Sequence, residues 1–173
     1  VLTLYPDDTV AYHTAHFAYH DKLFTYTSAF DLSNNWLERH PHDMSAQVNF
    51  AELHLVTGRY AEAERRISDL VAKPNLDANS KSGVLILDIT NALALKKAAI
   101  IPQKLQELKA FISVQPETFR VSWTFVGTKH YVQTEPVFAP HRDWLNKLFS
   151  IVDAKDRSAL LSALDQVQAS FRP

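Results

Sequence analysis

Apolar residues recur three and four positions apart along most of the chain, and no stretch alternates strictly between apolar and polar, so the pattern predicts helices and no strands. A first helix is expected over 9–24 behind Asp8 as its N-cap. A second spans 27–39 and stops at Pro41, whose ring disfavours helical geometry in the residue before it. Asp43 caps a third helix, which carries Val48, Phe50, Ala51, Leu53 and Leu55 up to a break at Gly58. The fourth covers 60–72 and ends before Pro74. A polar loop at 77–82 then leads to a more apolar helix at 83–97, and Pro102 opens another at 103–114 that Pro116 closes. Segments 117–132 and 141–152 form a further pair across a loop containing Pro136 and Pro140. Residues 157–171, capped by Asp156, place Leu160, Leu161, Leu164, Val167 and Phe171 on one stripe of a closing helix with one wet face.

These segments are not independent. Sliding the chain along itself until His54 falls on His20 also brings Tyr60 onto Tyr26 and Ala63 onto Ala29, with Leu70 and Val71 on Trp36 and Leu37. GRYAEA (Gly58 to Ala63) supplies a glycine turn followed by a small residue. WTFVGTKH (Trp123 to His130) supplies Trp, two residues, an apolar residue, Gly, two residues and an aromatic ring. In these positions, and in the length of that shift, the chain resembles the tetratricopeptide repeat family, whose helix–turn–helix unit recurs at a fixed period.

The resemblance implies an all-α fold of antiparallel helix hairpins stacked as a right-handed superhelix, in a single domain over 1–173. Its units are expected at 10–43 and 44–77, divergent units at 85–116 and 119–152, and a C-terminal capping helix at 157–171. Residues 78–84 look like an insertion. The opening VLTLYPDD falls where the tail of an earlier second helix would lie, so the chain is expected to be a piece of a longer protein.

Composition narrows the chemistry. With 173 residues, 46% apolar and 21% charged, the chain is long enough to bury a real core. A formal net charge of −1 offers no overall attraction for nucleic acid, and the run from Val84 to Leu95 is too short and too interrupted for a membrane span. No cysteine means no disulfide, thiolate zinc site or cysteine nucleophile; it leaves the compartment open, with cytoplasm as the working expectation. Gly58, Gly83 and Gly127 are isolated, so no glycine-rich loop cradles a phosphate, and neither H-E-x-x-H nor G-x-S-x-G occurs. No enzyme activity and no cofactor are expected.

The sharpest chemical candidate is HTAHFAYH, which puts His13, His16 and His20 on one helix face at spacings that suit a zinc or nickel ion. A packing role is the favoured reading, because His54 and His130 recur at the corresponding place and a single metal centre has no such period. Tyr12, Phe17, Tyr19, Phe24, Tyr26, Phe30 and Trp36 crowd the chain ahead of Pro41, and an end unit without a neighbour would leave some of them as a surface for self-association.

Stacked hairpins offer a continuous groove, and in the family the first helix of each unit lines it. Carried over residue by residue, the resemblance places Thr14, Ala18 and Asp21, then Val48, Glu52 and Leu55, then Ile89, Leu93, Lys96 and Lys97, and then Thr124, Thr128 and Tyr131 along a peptide-binding groove. The Lys and Asn clamp that some members use for a terminal carboxylate is absent from the first two units. The expected ligand is an amphipathic helix or an extended apolar segment of a protein partner, with Lys96 and Lys97 toward an acidic residue.

Overall fold

The computed structural model describes residues 7–172. The expectation that VLTLYP is the tail of an earlier unit lies outside those residues. Among the described residues the chain forms nine α-helices and no strand. They are α1 (Thr9–Phe17), α2 (Tyr26–Arg39), α3 (Met44–Val56), α4 (Tyr60–Val71), α5 (Ala78–Ala94), α6 (Ile101–Ser113), α7 (Val126–Thr134), α8 (Arg142–Phe149) and α9 (Arg157–Ser170).

Four of these helices start at an aspartate. The carboxylates of Asp8, Asp43, Asp77 and Asp156 accept the N–H of Ala11, Ala46, Ser80 and Ala159, each satisfying a first-turn donor that has no partner within its own helix. Asp77 corrects the boundary expected for α5. The segment that reads as a polar loop and an insertion is the opening of that helix.

The turn at Gly58 is a two-bond reversal. Gly58 lies at φ 74°, its N–H donates to Leu55 O at 3.0 Å, and the Arg59 N–H donates to His54 O at 2.8 Å. The same pair of bonds recurs around Lys96 at φ 59°, where Lys96 N–H reaches Leu93 O and Lys97 N–H reaches Ala92 O. Phe24, at φ 52°, ends the first hairpin's leading helix in the same left-handed region. The step from Phe24 to Gly58 equals the shift that superposes His54 on His20, whereas the step from Gly58 to Lys96 is longer. The longer interval has a simple origin: α5 has 17 residues where α3 has 13, about one more turn.

Each helix from α1 to α5 packs on the next, and α3 also packs on α5. These two form the centre of the molecule, with Val48, Leu53, Leu55, Ile86, Leu87 and Ile89 fully buried. Burying each such side chain is worth about 1.5–3 kcal/mol. The closing helix α9 packs on α6 and α8. One sequence expectation is overturned here. Residues 117–132 are not one helix: the chain runs as an irregular strap to Phe125 and turns helical only at Val126. The strap is fixed by contacts far away in sequence. Arg157 donates its main-chain N–H to Glu117 O at 3.1 Å, Asn79 Oδ1 accepts the Ser122 N–H at 2.7 Å, and Trp123 lies against Gly83. Phe125, at φ 52° and 1% exposed, plugs into the core beside Phe149.

Candidate functional site

The strap delivers α7 onto the leading helices of the hairpins, where it packs against α3 and against the turn that extends α1. That turn is π-helical over Ala18–Lys22, with Leu23 N–H reaching back to Ala18 O. Wider turns of this kind are rare and recur at functional sites. It carries His20 and Asp21.

The first turn of α7 has no cap of its own. Phe125 at the N-cap position offers no hydrogen-bonding side chain, so the orphan donors and the positive end of the helix need an acceptor from elsewhere. Asp21 and Glu52 provide it. Asp21 Oδ1 accepts the Gly127 N–H at 2.9 Å, and Glu52 Oε1 accepts the Thr128 hydroxyl at 2.5 Å. Trp123 on the strap lies near enough to the Glu52 carboxylate to favour its charged form. Tyr26 donates its hydroxyl to Gly127 O at 2.9 Å and meets His130 Nδ1 at the same distance. Further along the helix, Phe24 stacks on His130 with centroids 3.8 Å apart, and the hydroxyls of Tyr60 and Tyr131 meet at 2.9 Å.

His20 sits beneath this contact, 3% exposed. Its Nδ1 bonds Asp21 Oδ1 at 2.9 Å, its Nε2 lies 3.9 Å from Glu52 Oε1 with no hydrogen-bond partner, and its ring faces Gly127 closely enough to leave no room for a Cβ. Burial disfavours charge on His20, but the Glu52 and Asp21 carboxylates outweigh it and push its pKa up. Burial raises Glu52 in turn, against the pull of His20 and of the Thr128 and Trp123 donors. Burial also works to raise Asp21, yet the His20 and Gly127 bonds hold it below the usual carboxylate range. The two carboxylates that accept from α7 thus also favour a proton on His20. His16 stacks on His20 at 5.4 Å, bonds Ser33 Oγ at 3.2 Å, and is held neutral by burial, with its pKa lowered to about 3. A cleft of about 260 Å³ lies beside the cluster, between His13, His16 and Phe17 on α1, Asn49 on α3, and strap residues Ser122 to Phe125.

The positions expected along the groove fall into three groups. Asp21, Glu52, Thr128 and Tyr131 are brought together at the α7 contact. Val48, Leu55, Ile89 and Leu93 are core, buried because α3 and α5 are surrounded on all sides. Thr14, Thr124, Lys96 and Lys97 are not buried, Ala18 is half-buried, and Lys97 Nζ is paired with Glu64 at 2.6 Å rather than held open for a ligand. Among the described residues no group of three or more His, Asp or Glu side chains is arranged to hold a metal ion. His54 donates Nδ1–H to Phe50 O at 2.7 Å, a bond within its own helix.

In the sequence, Gly127 stands out only as a repeat position, and His20 as a repeat position and one of the three histidines of the metal candidate. The adjacency of His20 and Asp21, and a third glycine in a chain with only three, are the signals that point further. Comparison with family models, with curated proteins and with solved structures finds no match to this chain.

Proposed function

We propose that the chain is a noncatalytic helical-repeat interaction module of the tetratricopeptide type, whose leading-helix face grips polypeptide from a protein partner. The observation that carries this reading is the grip on α7. Asp21 and Tyr26 bind the main-chain N–H and C=O of Gly127, and Glu52 binds the next side chain, so the face engages a helix N-terminus largely through backbone groups. The ligand class is an uncapped helix N-terminus with a small second residue and a hydroxyl-bearing third. In the conformation described, the chain's own α7 fills that role.

A general-base role for the His20–Asp21 pair is disfavoured by the packing. Nε2, the atom that would take a substrate proton, faces Gly127 and Glu52.

The test is a labelled peptide copying residues 119–135, titrated into the intact chain and into Gly127→Ala, where the internal segment is weakened. Saturable binding to the variant, reduced about tenfold or more by adding Glu52→Gln, is the expected result. No binding to the variant at any concentration up to solubility sinks the proposal. Self-association is a second reading, favoured by Val10, Phe17 and Leu23, which are 75%, 47% and 60% exposed on one end. Light scattering that stays monomeric across concentration removes it.

A further inference from the structure

We propose that His20, Asp21 and Glu52 form a proton-operated latch that holds α7 on the leading-helix face when the cluster carries its proton and loosens it when the proton leaves. The inference rests on the polypeptide-gripping role proposed above, and names how access to that face is controlled.

The geometry separates the latch into two halves. Asp21 and Glu52 belong to the face, and both point their oxygens at donors of α7. His20 lies between them, bonded to Asp21 and 3.9 Å from Glu52, and is a basic side chain placed against both carboxylates. The other titratable groups around the cluster are three histidines and a tyrosine. His16 and His13 come from α1, and His16 is kept neutral; Tyr26 comes from α2, its ring 5.7 Å away, and its hydroxyl is pushed up by burial; His130 comes from α7 and is bonded to that hydroxyl.

When α7 leaves, water reaches the cluster and its groups return toward ordinary values, near 6.5 for the imidazole. The docked state therefore binds more protons than the open state above pH 6.5. By linkage, docking is fully favoured below that value and weakens as pH rises through the docked pKa of His20, by up to tenfold per pH unit. His16 does not enter this window, since it is neutral in both states above pH 6.5. A second, acid limb follows from Asp21, whose docking bond is lost as pH falls through its lowered pKa.

Opening is read by amide hydrogen exchange in the isolated chain, corrected for the intrinsic pH dependence, at Gly127, whose N–H donates to Asp21, and Lys129, whose N–H donates to Phe125 O, against Leu55 in the core. Protection of the α7 amides is expected to fall as pH rises above 6.5 while that of Leu55 holds. In His20→Gln the α7 profile becomes flat. The His20 ring carbons, followed by NMR in the unmutated chain, are expected to titrate above 6.5. Flat protection in the unmutated chain, the same slope in His20→Gln, or a His20 titration at or below 6.5 each overturns the latch. Because no partner is present, these results are independent of the peptide titration: the latch fails or stands whether or not the face binds a peptide in trans.

Discussion

Replacing Gly127 with Ala puts the α7 contact under a defined load. Gly127 is the second residue of α7, and in a solvent-facing helix the change would be neutral or favourable by up to ~1 kcal/mol, since alanine is the better helix former. Here the added Cβ would lie within 2.7 Å of His20 Cε1, Nδ1 and Nε2. His20 cannot swing aside cheaply, because Asp21 holds one edge and the stacked His16 ring covers a face. Two responses are open. Overpacking that is absorbed in place costs about 1–3 kcal/mol. Lifting α7 away instead forfeits the Gly127 and Thr128 bonds to carboxylates, each worth about 1.5–3 kcal/mol. The expected loss is thus ~2–4 kcal/mol, read as a shifted urea midpoint by circular dichroism. His20→Ala in the same chain makes room for the methyl group, so the double mutant should be less destabilised than the sum of the two single changes, with a coupling above ~1 kcal/mol. A Gly127→Ala chain as stable as the parent, or strict additivity with His20→Ala, refutes the close-approach reasoning.

Other perturbations isolate other links. Gly58→Ala has space around it, the nearest heavy atom being Tyr131 Oη at 3.7 Å, so it should cost only the left-handed strain of ~1–2 kcal/mol in thermal or urea unfolding. Lys96→Gly is the converse at the equivalent turn and should stabilise by ~1 kcal/mol in the same assay. Asp43→Ala removes both the Ala46 cap and the acceptor for Trp36 Nε1 at 2.8 Å, a ring only 2% exposed, and should cost ~2–4 kcal/mol; Asp43→Asn should retain most of the cap. His16, depressed to about 3 by burial, is protonated first in the unfolded chain. Stability should therefore fall as pH drops below 6.5, by up to ~1.4 kcal/mol per unit, and a His16→Gln chain that folds should show a flatter acid limb in urea titrations at stepped pH.

What the sequence discloses is local. Asp8, Asp43 and Asp156 announce helix starts, and Gly58 announces a turn, because each acts on backbone within a few residues of itself. The period is legible for the same reason, being a rhythm of such local signals. Two misreadings share the opposite cause. Asp77 reads as a loop residue because Asn79, Ser80, Lys81 and Ser82 after it are polar, yet the helix runs on because Ser82 and Gly83 are covered by packing from elsewhere. Trp123 to His130 has a helical repeat spacing, but Val121 and Phe125 are pulled into the core and Trp123 onto Gly83, and those contacts override the local preference. Glu52 is placed by the resemblance on a groove for a partner; that it bonds Thr128 of the chain's own α7 is a tertiary fact no local pattern carries.

The bonds that hold α7 join the π-helical turn after α1, α2 and α3 to a helix far along the chain, whereas successive helices from α1 to α6 close on their neighbours. Contacts of that separation form late, since the ordering entropy of the intervening chain must be met first. On a ribosome, with the N-terminal hairpins made first, the face carrying Asp21 and Glu52 is complete well before Gly127 emerges. The seating of α7 is thus expected to be a late step of folding, and until then the Asp21 and Glu52 carboxylates stand without the α7 donors that they accept from in the finished fold.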